Sequence, residues 1–260
     1  YLNARPLVYG LEAQPGFEVR YDTPSECARL LHAHDTDLGL IPSIEYLRGS
    51  RPYTLVPGAG VASNGPVASV AIFTRRDPRD IESIAMDSSS RTSVALSTIL
   101  LRREFGAAPT MVSMPPDLDA MLAAADAALI IGDTALFLDP GPEIAKLDLG
   151  ALWTRSTGLP FVYAFWAGWS DAVTPEEVEA LQRARDEGVA RAAEVARAYY
   201  PDDPAREAVA RQYLRDNIRY VLGPEELEGL QTFYRYATEL GLASYDGSLR
   251  FYHAEHHGAR

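Results

Sequence analysis

The segment DSSSRTSVAL, residues 87 to 96, sets five hydroxyls and one guanidinium between an apolar run, IESIAM, and a stretch with helical spacing, VALSTILLRREF. A helix start leaves several backbone N–H groups unpaired and carries the positive end of the dipole, so such a junction is a natural seat for a carboxylate or phosphate. The side chains of Ser89, Ser90, Thr92 and Ser93 add donors, and Arg91 adds a fork that grips a carboxylate in two places. Capping alone accounts for one of these hydroxyls, at about 1 kcal/mol. Anion binding accounts for the group.

Other polar residues stand where a strand is expected to end. Asn3 in YLNARPL offers a donor and an acceptor on a short arm just after an expected first strand, although locally an Asx-turn or cap explains it. Ser43 in DLGLIPSIEY follows a strand and opens a short helix, so capping and ligand contact are equally served. Gly132 and Asp133 in LIIGD combine a site of close backbone approach with an acceptor, and a helix cap is the simpler local reading. Ser69 in GPVASVAIF is a hydroxyl inside a strand that needs a partner, structural or ligand-borne. TGLPF (157 to 161) is a turn feeding an aromatic strand that could wall an apolar ring pocket, or a simple loop.

What is missing from the sequence narrows the chemistry. The histidines are His32, His34, His253, His256 and His257, so no imidazole occurs from residue 35 to residue 252. His32 and His34 are two apart and point to different faces of a helix, and the terminal three read as a solvated tail. A histidine base, a Ser-His-Asp triad and a zinc site are all unexpected. No P-loop or G-x-G-x-x-G fingerprint occurs. Cys27 is the single cysteine, which rules out a disulfide framework and a cysteine metal site and suits a reducing cytosol. With net charge −12 and pI ≈ 4.9, the chain lacks the basic stripe that nucleic acid requires. No apolar run approaches the ~18 to 20 residues of a membrane span, and neither DNA, RNA nor a membrane is expected as a partner.

These residues need a scaffold. At 260 residues and 47% hydrophobic content the chain can fill one large or two modest cores. Apolar runs alternate with helical patterns: FEVRYD, PSECARLLHA, DLGLIPS, IEYLRG, then after the long strand PVASVAIFTR (66 to 75) again IESIAMD, a helix from Thr92 to Phe105, TMVSMP, DLDAMLAAA and DAALIIGD. That grammar predicts βαβ units and a mainly parallel sheet. FVYAFWAGW (161 to 169) is a second long strand. From Thr174, an N-cap followed by Pro175 and early glutamates, helices dominate. One runs through 174 to 200, two more over 203 to 221 and 224 to 241, and SLRFY (248 to 252) is a closing strand. Two α/β blocks joined by two long strands predict a bilobal body, lobe 1 being 1–72 plus 168–260 and lobe 2 being 73–167. The ligand is expected in the cleft between them.

Taken together, YLNARPL, DLGLIPSIEY, GPVASVAIF, DSSSRTSVAL, ADAALIIGDTAL, DLGALW and TGLPFVYAFWAG, in this order and spacing, resemble the chorismate dehydratases of the futalosine route to menaquinone. The likeness runs from residue 1 to about 169. It departs from the family pattern at Met86, where leucine is frequent, and in the family's first strand, which precedes Tyr1. The resemblance implies a two-lobed α/β fold like the type 2 periplasmic binding proteins. The implied reaction is loss of water from chorismate, a small dicarboxylate, to give 3-[(1-carboxyvinyl)oxy]benzoate, with no cofactor and no metal. It also implies that Asn3 and Ser69 sit at the reacting ring, while Ser43, Ser89, Ser90, Arg91, Thr92, Ser93, Gly132 and Asp133 bind substrate. A cytoplasmic monomer or weak homodimer is expected. The alternative is a small-carboxylate solute-binding protein of a transporter, which would share the fold and the hydroxyl-rich cleft; it is expected to carry an export signal or a lipid-attachment cysteine, and Cys27 is not so placed.

Overall fold

Fully buried strands need helices or a second sheet on both faces, and the chain supplies them in two units. In the computed structural model, which describes residues 1–252, strands β1 (Leu38–Pro42), β2 (Thr54–Ser63) and β8 (Phe161–Gly168) form a three-stranded sheet in the order β1-β8-β2. Strands β3 (Val70–Thr74), β4 (Ser83–Asp87), β5 (Thr110–Met114), β6 (Ala127–Ile131) and β7 (Ala145–Asp148) form a five-stranded sheet in the order β5-β4-β6-β3-β7.

The sheets are mixed, not mainly parallel. Only β4 runs parallel to its neighbours, β5 and β6; β3 is antiparallel to β6 and β7, and β8 is antiparallel to both β1 and β2. The reason is topological. β3 and β8 are the first strands after the chain passes between sheets, so they enter from the opposite end to the βαβ units and must lie antiparallel. Each belongs to one sheet throughout its length. The passages therefore run through residues 64–69 and 149–160, instead of inside strands near residues 72 and 167.

Helices α1 (Pro24–His32), α2 (Thr92–Leu100), α3 (Leu118–Ala124), α4 (Gly132–Phe137) and α5 (Leu149–Thr157) alternate with the strands, and α2 continues as a π-helical turn to Phe105. After β8 come α6 (Pro175–Ala190), α7 (Ala192–Tyr199), α8 (Pro204–Asp216) and α9 (Pro224–Glu239). Thr174 caps α6 as expected: its Oγ1 accepts from Glu177 N at 3.3 Å while the Glu177 carboxylate accepts from Thr174 N at 2.7 Å. The single helix expected over 174–200 breaks at Arg191. Two expected strands are absent from the sheets: FEVRYD forms no strand, and SLRFY contributes one bridge, Phe251 to Leu55. Two strands were not anticipated: the short β7, and β2, because Pro57, Gly58 and Gly60 interrupt its apolar pattern; the β2 register shifts between Leu55 and Gly60, where a bulge absorbs them.

The largest core cluster spans both sheets, from Leu2 and Ile41 through Ile72 and Leu129 to Trp153 and Phe233. Among the described residues no helix is long and apolar enough to cross a membrane. His253, His256 and His257 lie outside the described residues. His32 is structural: its ring nitrogens meet the Tyr53 hydroxyl at 2.6 Å and the Glu45 carboxylate at 2.8 Å. His34 stacks on Trp169 with ring centroids 4.1 Å apart. Among the described residues no three His, Cys, Asp or Glu side chains converge on a possible metal position.

Candidate active site

A cleft of about 940 Å³ opens between the two sheets. Its floor and walls come from the first residues of the chain, β1, the loop before α2, the end of β6 and residues 163–166 of β8. Asn3, Ser90, Arg91, Thr92, Ser93 and Gly132 all line it. Tyr163, Ala164 and Trp166 of β8 supply the wall predicted from TGLPF and the strand after it, and Val61, Val67, Val70 and Ile131 make it largely apolar. A planar ring therefore has a surface to lie on and polar groups at one rim.

The rim is built by the start of α2. No side chain caps this helix, so its first amides keep their donor capacity and the dipole faces the cleft. Asp87, 1% exposed, shapes the loop ahead of it: Oδ1 accepts from Ser89 N at 2.9 Å and Ser89 Oγ at 2.7 Å, and Oδ2 accepts from Ile131 N at 3.3 Å. Ser90 is 5% exposed and its hydroxyl has no partner among the described residues. A buried donor without an acceptor costs about 1–3 kcal/mol unless a ligand supplies one. Arg91 is exposed, lines the same cleft and forms no ion pair among the described residues. Thr36 Oγ1 and Trp166 Nε1 are two further unpartnered donors on the outer wall.

Three of the sequence-identified residues, Ser43, Ser89 and Asp133, lie behind the wall, and Thr92 at the lining is tied to the first of them. Ser43 donates to Val162 O at 2.8 Å, and Thr92 Oγ1 accepts from Ile44 N at 3.2 Å, so this pair fastens α2 to the segment after β1. Ser89 meets the Tyr1 hydroxyl at 2.7 Å as well as Asp87. Asp133 neither caps α4 nor faces the cleft: Oδ1 accepts from Leu2 N at 3.0 Å and Oδ2 accepts from the Tyr199 hydroxyl at 2.7 Å. Gly132 is approached closely, as its type predicts, and what approaches it is the Tyr1 ring. These contacts clamp the turn of 3-10 helix Leu2–Val8, and with it Asn3, from the side of the five-stranded sheet. Gly188 of α6 packs against Pro6 from the other side.

Ser69 is 1% exposed and pairs with the Tyr213 hydroxyl at 2.7 Å. Burial pushes the Tyr213 hydroxyl well above the ordinary tyrosine range, and hydrogen bonds with Ser69 and Asn3 pull it partly back. Thus Asn3 and Ser69 are brought together, through a tyrosine of α8. Sequence reasoning missed Tyr213 and Tyr199. Each sits in a helix whose apolar face reads as ordinary core, and only the three-dimensional fold brings them to residues 1–3, 69 and 133.

The passage 64–69 is held by Asp148. Its carboxylate accepts from Val67 N at 3.1 Å, Ala68 N at 2.6 Å and Ala151 N at 2.9 Å, and Ala68 is forced to φ 64°. A left-handed alanine costs about 1–2 kcal/mol, which these bonds offset. Asp148→Ala is expected to lower unfolding free energy by about 3 kcal/mol in a denaturant titration, with Asp148→Asn losing roughly half as much because one acceptor oxygen remains. Equal stability of the alanine variant and the wild type would show that the passage is held by packing instead.

Two mixed sheets with the chain passing twice between them, and a cleft rimmed by a helix start, define a two-lobed α/β protein of the type 2 periplasmic-binding-protein kind. Solved structures agree at the level of fold: protein AF1704 from Archaeoglobus fulgidus superposes with TM-score 0.70 at 19% identity, covering 93% of this chain and 95% of that one. The alkanesulfonate-binding protein SsuA from Xanthomonas axonopodis pv. citri, bound to MOPS, superposes with TM-score 0.59 at 15% identity, covering 94% and 90%. The chain belongs to the menaquinone-biosynthesis family, whose model matches residues 1–239. It is 35% identical over 259 residues to the chorismate dehydratase of Thermus thermophilus, covering 93% of each chain.

Proposed function

We propose that this protein is a lyase that dehydrates chorismate to 3-[(1-carboxyvinyl)oxy]benzoate for menaquinone synthesis. What carries the reading is the uncapped start of α2, with the unpartnered Ser90 hydroxyl, facing the same cleft as Asn3 in a chain 35% identical to a chorismate dehydratase along nearly its whole length. One carboxylate of the dianion takes the α2 seat, where amides, Ser90, Ser93 and Arg91 converge; an acidic protein thereby captures an anion locally. The ring lies on Tyr163 and the valines.

The elimination breaks the C3–H and C4–O bonds. The C–H electrons become part of the aromatic sextet and hydroxide leaves as water with the proton taken from C3. It is redox-neutral, so it needs no electron acceptor, and aromatisation supplies the driving force. The protein's task is to orient the two bonds. Asn3, on the cleft surface, contacts the departing hydroxyl. Ser69 and Tyr213, lying behind it, fix the orientation of its amide and act as positioning residues. The substrate's own enolpyruvyl carboxylate takes the C3 proton, since Asn3, the residue assigned to the reacting atoms, is an amide and no strong base. The same reading takes the protein as a cytoplasmic monomer or weak homodimer working without metal or organic cofactor.

These groups do not titrate near neutrality. Burial pushes Tyr199 and Tyr213 up so that both remain neutral into the alkaline range, and burial likewise pushes up Cys27, the cleft's thiol. The kcat/KM profile is therefore expected to be flat from about pH 6 to about pH 9. A unit-slope limb inside that window would instead reveal a protein base.

The reading is tested by incubating the protein with chorismate and following the product by mass and ultraviolet absorbance. An aromatic product lighter by one water supports it. Tight binding with chorismate recovered unchanged would favour the solute-binding alternative.

A further inference from the structure

Chorismate carries two carboxylates, and the α2 seat accounts for one. Three cationic side chains line the cleft: Arg5, Arg20 and Arg91. Arg20 is spent on Asp22, with Nε to Oδ2 at 2.6 Å. Arg5 and Arg91 are the two with no ion pair among the described residues. Arg91 belongs to the α2 rim; Arg5 lies apart from it in sequence, in the same turn of 3-10 helix as Asn3 and ~4 Å further along its axis.

Arg5 is held in an unusual way for a half-buried cation. Its guanidinium carbon lies 4.0 Å from the centroid of the Tyr21 ring and 5.2 Å from that of Tyr199. Aromatic faces satisfy the flat surfaces of a guanidinium through cation–π attraction, and although the Tyr21 hydroxyl also hydrogen-bonds Arg5, the fork has no charged acceptor among the described residues. Tyr199 is itself fixed by its bond to Asp133, which also holds Leu2 N. The Arg5 fork is thus tied to the frame that positions Asn3, and among the described residues it forms no ion pair.

We propose that Arg5 is the seat of the substrate's second carboxylate, so that each carboxylate of the dianion has its own arginine and the ring is fixed at both ends. This rests on the dehydratase reading and adds to it a specificity residue that selects a diacid over a monoacid. Loss of the charged fork at a partly exposed site is expected to raise KM for chorismate about 10-fold, with kcat changing less than about threefold.

The test is Arg5→Gln, measured by turnover and by calorimetric binding of three ligands: 3-[(1-carboxyvinyl)oxy]benzoate, benzoate and 2-phenoxyacrylate, which are the whole product and its two single-carboxylate halves. The inference predicts a Kd about 10-fold higher for the diacid and for one half, with the other half within about twofold of wild type. Unchanged diacid binding, or equal weakening of both halves, overturns it. If the wild type neither binds the diacid nor consumes chorismate, the dehydratase reading itself falls; if the wild type does both and Arg5→Gln matches it, only the inference falls. Arg5→Lys keeps the charge without the fork and is expected to give a rise of about threefold in KM; should Arg5→Gln fail to fold, a lysine variant with wild-type KM for chorismate overturns the inference. Tyr199→Phe, which breaks the Asp133 bond but leaves the guanidinium in place, separates loss of the clamp from loss of the cation: it is expected to weaken both halves alike.

Discussion

Asn3→Ala is expected to lower kcat/KM for chorismate by about 10²- to 10³-fold, the cost of removing one pre-aligned hydrogen-bonding group from a transition state. Asn3 is the amide side chain on the cleft surface, and its backbone is fixed from several directions. Leu2 N is held by Asp133, Tyr1 is held by Ser89, Pro6 is pressed by Gly188, and the side chain shares the Tyr213 hydroxyl with Ser69. Such constraint is pointless for a solvated turn. The side chain is half-buried, so the variant should fold within about 1 kcal/mol of wild type. Ser69→Ala and Tyr213→Phe remove the support without removing the contact. They are expected to cost about 3- to 10-fold, mainly in kcat. If Asn3→Ala keeps kcat/KM within threefold of wild type, Asn3 is not at the reacting atoms.

Gly132→Ala is expected to be nearly as damaging, for a purely steric reason. Gly132 has φ +66°, which already costs an alanine about 1–2 kcal/mol. A Cβ there would lie 2.5 Å from Tyr1 Cε1 and 2.6 Å from Tyr1 Cδ1. The ring must move, and the bond from its hydroxyl to Ser89 breaks with it. Because Leu2 is pinned to Asp133 next door, the displacement passes directly to Asn3. The expected result is about 2–4 kcal/mol of lost stability and about 100-fold lower kcat/KM, since a ~1 Å misplacement of a contacting group has that effect. Asp133→Ala frees the same segment without a clash and should lose activity with a smaller stability cost. Wild-type activity in Gly132→Ala would mean that Tyr1 and Asn3 are not mechanically coupled.

The relation between sequence and structure differs from one element to the next. Alternating strand and helix signals located β1, β4 to β6, β8 and α1 to α3 because each is set by residues within a few positions of one another. The hydroxyl-rich start of α2 was readable for the same reason: hydroxyls, guanidinium and helix start are contiguous. Sheet direction was not, because a mainly parallel arrangement holds for βαβ units and says nothing of β3 and β8, which enter from the passages between sheets. β2 was hidden by Pro57, Gly58 and Gly60, which a bulge accommodates. Asp133 was identified as a residue of interest but given a local cap or a ligand. Its actual partners, Leu2 N and the Tyr199 hydroxyl, are 131 and 66 residues away. Tyr213 was invisible for the same reason, since a tyrosine at core spacing in a late helix carries no local mark of what its hydroxyl touches.

A crystal structure with 3-[(1-carboxyvinyl)oxy]benzoate bound tests the central claim most directly. The prediction is a ring lying against Tyr163 and Val67 between the sheets, one carboxylate within hydrogen-bond distance of Ser90 Oγ and the first amides of α2, and the ring carbon that bore the hydroxyl next to the Asn3 amide. A ligand bound elsewhere, or one in the cleft with its carboxylates turned to solvent and away from residues 90–93, would contradict it.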